Sequence, residues 1–201
     1  MAAKTYRQIR FQIIAGRLKG RKITVPDLGV TRPPLERIRR SLFDFLTPYL
    51  DDAEYLDLFS GTGSYLFEAV SRGVENATGV ELENVLAEAI NVQARKHELA
   101  DRLSCRCGDV FDAIPTFARA SKRFDLITLA PPQYKGLVEK TLTALGENWI
   151  LTGSGLLVCQ YATSENIEID FHKFTLVETR KYGNTTFTVL KGKEKGDPEA
   201  A

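Results

Sequence analysis

The chain has few of the residues that build metal and disulfide sites. Among its 201 residues are two histidines, His97 and His172, and three cysteines, Cys105, Cys107 and Cys159. The histidines stand far apart, outside any metal-ligand spacing. An odd number of cysteines suits small buried side chains in a reducing compartment. We therefore expect no disulfide and no bound metal.

Long hydrophobic runs are also missing from the sequence. No apolar stretch approaches the ~20 residues that a membrane-spanning helix needs. The first residues, MAAKTYR, lack the apolar core of a secretory signal. Apolar residues still make up 43% of the chain, enough for a sizeable core. We expect a cytoplasmic protein with no membrane partner.

The charge is nearly balanced overall, with 27 Lys and Arg against 26 Asp and Glu, but the two signs are separated along the chain. Residues 1–40 contain eleven bases and two acids, a net charge of +9, and the rest of the chain carries −8. Concentrated positive charge attracts polyanions, so this asymmetry predicts a nucleic-acid partner for the N-terminal region.

The sequence pattern divides the chain into three parts. Residues 1–50 predict an extension made of a basic β-hairpin and an amphipathic helix, which would bind the polyanion. Residues 51–192 alternate short apolar strands with helices, and residues 193–201 form a charged tail that we expect to be flexible. Alternating strands and helices predict a parallel sheet covered on both faces, so the fold class is α/β, doubly wound and Rossmann-like.

The predicted elements can be placed by residue number. Strands are predicted over residues 10–15, 21–25, 55–59, 77–80, 103–107, 124–129, 155–160, 175–181 and 185–191. Helices are predicted from residue 35 to about 48, from the glycines at 61–63 to about 73, and over residues 85–97, 110–120 and 137–145. The last two strands flank Gly183-Asn184, which predicts an antiparallel hairpin at the C-terminal end.

Distinctive residues, three of them acids, mark the ends of four consecutive strands of the predicted sheet. Asp57 and Gly61-Thr62-Gly63 follow the first strand, Glu81 ends the second, Asp109 ends the third and Ala130-Pro131-Pro132 ends the fourth. In a doubly wound sheet, ligands bind outside the carboxyl ends of the strands, near the point where the strand order reverses. These residues therefore predict a single ligand site at one edge of the sheet.

A dinucleotide-binding site is disfavoured at this edge. A GxGxxG fingerprint beginning at Gly61 would need glycine at position 66, where the chain has Leu66. The Asp57 carboxylate would also repel a pyrophosphate. No Lys-Ser or Lys-Thr pair follows the glycines, which excludes a phosphate-loop NTPase. An NAD-linked oxidoreductase remains an alternative function, although the chain lacks the complete glycine fingerprint that such enzymes use.

S-adenosylmethionine, which carries an ammonium and a sulfonium but no phosphate, suits the acids better. Asp57 would hold the ammonium directly or through water, Glu81 would accept from the ribose hydroxyls, and Asp109 would accept from the adenine amine. Each acid alone has an ordinary structural explanation, such as capping a turn or a helix. The prediction therefore rests on their order. The full predicted cofactor-binding set is Asp57, Phe59, Gly61, Thr62, Gly63, Glu81, Leu82, Asp109 and Val110.

Residues 57–63, which read DLFSGTG, resemble the first motif of class I methyltransferases. Further segments resemble the bacterial guanine-N2 methyltransferases of 16S ribosomal RNA, namely Ile13-Ile14-Ala15-Gly16, Thr31-Arg32-Pro33, Arg37-Ile38-Arg39, Ser41-Leu42-Phe43, Ser71-Arg72-Gly73 and Tyr182-Gly183-Asn184-Thr185. The resemblance covers about residues 10–192. It implies a class I methyltransferase fold, S-adenosylmethionine as cofactor, and a guanine of 16S rRNA, free or in an assembling small subunit, as substrate. We expect a monomer.

The chain departs from this family after the fourth strand. The family has Asp or Asn, two prolines and an aromatic residue, whereas this chain has Ala130-Pro131-Pro132-Gln133, with Tyr134 one position later. In the family, the acid or amide oxygen and a loop carbonyl accept hydrogen bonds from the target amine, and the aromatic ring stacks on the extruded base. Ala130 has no side-chain acceptor.

Two interpretations of this departure remain open. In the first, the carbonyls of Ala130 and Pro131, helped by Gln133, position the amine while Tyr134 stacks, and transfer proceeds because it depends mainly on alignment. In the second, the protein is a catalytically impaired ribosome-assembly factor that binds S-adenosylmethionine and rRNA. The intact acids at the other three strand ends favour the first interpretation.

The N-terminal bases are the predicted RNA-binding residues. They would contact phosphates and supply salt-dependent affinity without reading sequence. This set is Arg10, Arg17, Lys19, Arg21, Lys22, Arg32, Arg37, Arg39 and Arg40.

Overall fold

A sheet of seven strands forms the centre of the protein, whose computed structural model describes residues 6–31 and 33–193. A separate two-stranded hairpin precedes it. In chain order the elements are β1 (Arg7–Gln12), β2 (Lys22–Asp27), α1 (Glu36–Leu46), β3 (Glu54–Asp57), α2 (Ser64–Ser71), β4 (Asn76–Glu81), α3 (Asn84–Lys96), β5 (Leu103–Cys107), α4 (Val110–Arg119), β6 (Phe124–Leu129), α5 (Leu137–Glu147), β7 (Leu151–Ala162), β8 (Phe174–Tyr182) and β9 (Thr185–Gly192).

The strand order of the large sheet is β5-β4-β3-β6-β7-β9-β8. Strands β5, β4, β3, β6 and β7 are parallel, and β9 runs antiparallel to both of its neighbours. The order reverses between β3 and β6, so the carboxyl ends of these two strands form the switch point. This topology confirms the doubly wound α/β fold and the C-terminal hairpin, whose turn uses Gly183 at φ +59°.

Alternating side chains of the central strands divide the core into two layers. On β6, Leu126 belongs to the layer under α1, α2 and α3, whereas Ile127 belongs to the layer under α4 and α5. Val158 and Leu157 of β7 divide in the same way. This alternation follows from the two-residue period of a strand buried on both faces.

The N-terminal hairpin lies against the same core layer as α2 and α3. Its strands begin and end differently from the prediction, because Ile14 and Ala15 leave the hairpin and contact α2. The backbone N–H groups of Ile14 and Ala15 donate to the two carboxylate oxygens of Glu68, at 2.9 and 3.1 Å. Glu68 is fully buried, and a buried carboxylate needs such donors. The division between residues 1–50 and 51–192 stays a prediction.

Arg39 belongs to this buried network, and its predicted contact with RNA phosphate is therefore wrong. Its side chain is 2% exposed, its Nε lies 3.7 Å from Glu68, and its guanidinium lies over the Phe11 ring at 5.2 Å. Arg72 binds the same carboxylate at 2.8 Å. Because Arg39 occupies the apolar face of α1, it holds that helix to α2 instead of facing solvent.

Some expectations concern residues at the limits of the described structure. Arg32 and residues 194–201, which include most of the predicted tail, lie outside the described residues.

Cys105 and Cys159 are buried as expected, but Cys107 is exposed, since it ends β5 at the edge of the sheet. Within residues 6–31 and 33–193, no helix is long and apolar enough to cross a membrane, and no three His, Cys, Asp or Glu side chains group as metal ligands.

Candidate cofactor and substrate site

Asp57 lies at the switch point, with its side chain 1% exposed. It is the register partner of Thr128 on β6, whose hydroxyl donates to Asp57 Oδ1 at 3.0 Å. Burial raises the pKa of the Asp57 carboxyl to about 7, and the negative charge of Glu81 adds to this, while hydrogen bonds from Thr128 and the Phe59 backbone oppose it. No Lys or Arg among the described residues forms an ion pair with Asp57. The site is therefore suited to a cation.

The turn after β3 depends on two glycines with left-handed backbone conformations. Gly61 has φ +52° and Gly63 has φ +74°, a region that side chains disfavour. A Cβ on Gly63 would lie 2.9 Å from Ile90 of α3, and one on Gly61 would lie 2.6 Å from the Thr31 hydroxyl. The two glycines therefore allow the turn to lie close to its neighbours and to begin α2 at the edge of the sheet.

Glu81 connects the end of β4 to this turn. Its Oε2 accepts from the Gly61 N–H at 2.7 Å and its Oε1 from the Glu83 N–H at 2.9 Å. Burial is the main cause that raises the pKa of the Glu81 carboxyl. Each oxygen accepts one bond here and has a further lone pair, so the carboxylate can also accept from a diol. The next residue, Leu82, is 65% exposed.

Asp109 caps α4 at the end of β5. Its carboxylate accepts from the Phe111 N–H at 2.9 Å, as an N-cap does. The ordinary structural role is therefore present, and the second carboxylate oxygen remains for a ligand. The other predicted contacts differ in exposure, since Thr62 and Val110 are buried and Phe59 is half-buried.

The proline loop after β6 lies beside Asp57, because β3 and β6 are paired. Ala130 is half-buried and Pro131 is buried, whereas Pro132 and Gln133 are exposed. Tyr134 is 70% exposed and has φ +60°. Its backbone N–H donates to Glu165 at 2.9 Å and its hydroxyl lies 3.0 Å from the Ser164 hydroxyl. These two bonds hold an accessible aromatic ring next to the loop.

Asp57, Gly61 and Glu81 lie together at one edge of the sheet, as predicted from their positions after consecutive strands. The structure also places at this edge residues that the sequence did not indicate. Thr128 is one of these, and a hydroxyl inside the apolar β6 segment FDLITL was the available signal. The Tyr55 hydroxyl lies 2.6 Å from that of Thr128. This contact is made by tertiary pairing, so no sequence motif indicates it.

Comparison with known proteins gives the family. The family model described as conserved hypothetical protein 95 matches residues 11–191. The chain belongs to this family. Ribosomal RNA small subunit methyltransferase D of Haemophilus influenzae is 30% identical over 184 residues, covering 90% of this chain and 93% of that protein. The Escherichia coli K12 protein of the same name is 26% identical over 193 residues, covering 95% and 94%.

Solved structures share the fold of this chain. A hypothetical protein from Thermus thermophilus is 25% identical with a TM-score of 0.77, covering 90% of this chain and 99% of that one. An RNA methyltransferase from Salinibacter ruber in complex with S-adenosyl-L-homocysteine is 18% identical with a TM-score of 0.62, covering 83% and 97%. The family member described here has the Rossmann-like fold of class I methyltransferases.

Proposed function

We propose that this protein transfers the methyl group of S-adenosylmethionine to the exocyclic N2 amine of a guanine in small-subunit (16S) ribosomal RNA. The proposal rests mainly on the pairing of β3 with β6. This pairing puts the Asp57 carboxylate, which is suited to bind a cation, beside the proline loop at Ala130. The names of the similar Escherichia coli and Haemophilus influenzae proteins support methylation of small-subunit rRNA. The resemblance in segments such as Thr31-Arg32-Pro33 supports guanine as the target.

The acids and glycines of the site fit the chemistry of S-adenosylmethionine. The buried Asp57 carboxylate, which lacks a cationic partner among the described residues, would hold the cofactor ammonium through a water molecule. Glu81 would accept from the ribose hydroxyls, and exposed Leu82 offers apolar surface to the adenine ring. Asp109 would accept from the adenine amine. When bound, the cofactor supplies an electrophilic methyl group on a positively charged sulfur.

The proline loop would position the base. The carbonyls of Ala130 and Pro131 would accept hydrogen bonds from the target amine, and the Tyr134 ring would stack on the extruded guanine. The N2 nitrogen forms a bond to the methyl carbon as the carbon–sulfur bond breaks, and the amine then loses a proton to water. Because this displacement depends largely on alignment, the loop acts by holding the nitrogen in line.

The basic N-terminal region would bind the rRNA backbone. The predicted RNA-binding residues that are exposed in the structure are Arg10, Arg17, Lys19, Arg21, Lys22, Arg37 and Arg40. A surface cavity of about 600 Å³ between α1 and β8 has three bases in its lining, Arg37, Arg40 and Arg180, together with the acids Glu36 and Asp44, so that the C-terminal hairpin adds one base to this surface. We also propose that the protein acts in the cytoplasm and as a monomer.

Labelled S-adenosylmethionine tests the proposal directly. The protein is incubated with unmodified 16S rRNA and, separately, with small-subunit particles, and the labelled nucleoside is identified after digestion. We expect N2-methylguanosine, and we expect no label with an Asp57→Asn variant. Binding of cofactor and rRNA with no transfer to any guanine would contradict the proposal and support an assembly factor without turnover.

A further inference from the structure

Gln160 lies on the strand next to Ala130, the position at which the chain lacks a side-chain acceptor. In the parallel pair of β6 and β7, Leu129 is the register partner of Cys159. The next residues on the two strands, Ala130 and Gln160, are therefore neighbours at the carboxyl edge of the sheet. Adjacent strands lie about 4.8 Å apart. A glutamine side chain is long enough to span that distance.

The Ala130 and Gln160 side chains share one face of the sheet. Val158, two residues before Gln160, belongs to the core layer under α1, α2 and α3, and Ala130 packs against that same layer. Thr128, two residues before Ala130, donates to Asp57 on this face. Because side chains alternate along a strand, Gln160 lies on the same face as Ala130 and Asp57.

The Gln160 amide has a fixed orientation. The hydroxyl of Tyr65, on α2, donates to Gln160 Oε1. Tyr65 is 4% exposed and its ring packs edge-on against Phe43, with the centroids 5.7 Å apart. On the other side, the register partner of Gln160 on β9 is Phe187, which is 2% exposed. The half-buried amide is thus held by the Tyr65 hydroxyl, and its oxygen has a second lone pair.

Gln160 differs in this respect from Gln133, the acceptor that the sequence motif predicts. Gln133 is exposed on the proline loop, so its side chain has to be ordered when the substrate binds. Gln160 is already ordered by Tyr65. An acceptor held in place before the reaction contributes more than one that is immobilised during it.

We propose that Gln160 supplies the acceptor that Ala130 lacks and positions the target guanine. Its Oε1 accepts one N–H of the N2 amine, which leaves the other N–H to a carbonyl of the proline loop, and its amide N–H donates to N3 of the same base, while the N2 lone pair stays directed at the methyl group. Adenine has no amine at this position and forms only one of the two bonds, so the contact also favours guanine. This role rests on the proposed methyl transfer.

Single-turnover methylation of rRNA with saturating cofactor tests the role of Gln160. We expect Gln160→Ala to lower the rate about 10- to 100-fold, the loss that follows when one partner of a desolvated hydrogen bond is removed, with unchanged affinity for S-adenosylmethionine. Gln160→Glu, which keeps an acceptor oxygen and the size of the side chain but loses the donor to N3, should retain more of the rate than Gln160→Ala and less than the unaltered protein. Gln93→Ala, which removes a half-buried glutamine from α3, is the matched control and should leave the rate unchanged.

A second substitution separates positioning from packing. In the Gln160→Ala background, Ala130→Asn puts an amide back at the end of the neighbouring strand. We expect the double variant to react about tenfold faster than Gln160→Ala alone. An unchanged rate in Gln160→Ala, or a loss that Ala130→Asn does not reverse, would overturn the role of Gln160 while leaving methyl transfer by the unaltered protein intact. Absence of transfer by the unaltered protein would overturn both proposals.

Discussion

The two sides of the switch point are built differently. On the β3–β5 side, Asp57, Glu81 and Asp109 each accept a hydrogen bond from a hydroxyl or a backbone N–H. On the β6–β7 side, residues 132–134 of the proline loop are exposed, and the ordered polar group is Gln160 of the neighbouring strand. The proposed cofactor side therefore has its polar groups hydrogen-bonded around one turn, whereas the proposed base side combines a hydrogen-bonded Gln160 with a loop that stays exposed to solvent.

The largest effect is expected at Asp57. Asp57→Asn removes the charge proposed to hold the cofactor ammonium, so affinity for S-adenosylmethionine should fall about 100-fold or more, since one partner of a buried charge pair is lost. The ligand-free protein should be at least as stable, because a buried carboxylate without a cation has been removed. Calorimetric titration and thermal unfolding measure the two quantities. Unchanged affinity would show that the cofactor side is organised around another residue.

Tyr134→Ala should affect the opposite side. Loss of the stacking ring should lower the rate of rRNA methylation about tenfold, because base–aromatic stacking contributes about 1–3 kcal/mol. Affinity for S-adenosylmethionine should stay the same. Tyr134→Phe, which keeps the ring but not the contact with Ser164, is the control and should stay near the full rate. A parallel loss of cofactor affinity would mean that the two sides are not separate.

The pH dependence should distinguish the two sides as well. The pKa of Asp57 is about 7 in the ligand-free protein, against 3.8 for an unburied carboxyl. Protonated Asp57 does not attract the ammonium, so cofactor affinity should decrease by up to about tenfold per pH unit below 7. The stability of the ligand-free protein should change in the opposite direction. Because the folded state binds the Asp57 proton more tightly than the unfolded state, this stabilisation is lost as the pH rises through about 7. In Asp57→Asn both dependences should disappear, which titrations between pH 5 and 8 can check.

The smallest effect is expected at the arginines of α1. Arg37→Ala removes one exposed base and should weaken rRNA binding about threefold, with the salt dependence reduced by about 0.7–0.9 in slope. Arg39→Ala should instead lower the free energy of unfolding, because it leaves Glu68 with one fewer buried partner, and should leave the slope unchanged. Filter binding over a salt series and thermal unfolding separate the two. A changed slope in Arg39→Ala would contradict its assignment to the core.

Much of the fold could be predicted where the decisive interactions are local. The predicted strands at residues 103–107 and 124–129 agree with β5 and β6, since apolar runs between turn signals identify them. The first strand was displaced because the backbone of Ile14 and Ala15 binds Glu68 of α2. Glu68 is 54 residues from Ile14, and sequence pattern carries no information about that pairing.

The order of the elements, the separation of charge and the acids at consecutive strand ends can be deduced from the residues alone, because strand and helix periodicities and capping signals act over a few residues. The burial of Arg39 beside an exposed Arg37, and the position of Gln160 next to Ala130, result from the packing of distant segments. The register between strands is set by how distant segments pack together. A side chain of one strand can therefore lie next to the position where its neighbour lacks a hydrogen-bond acceptor, although no sequence motif includes both residues.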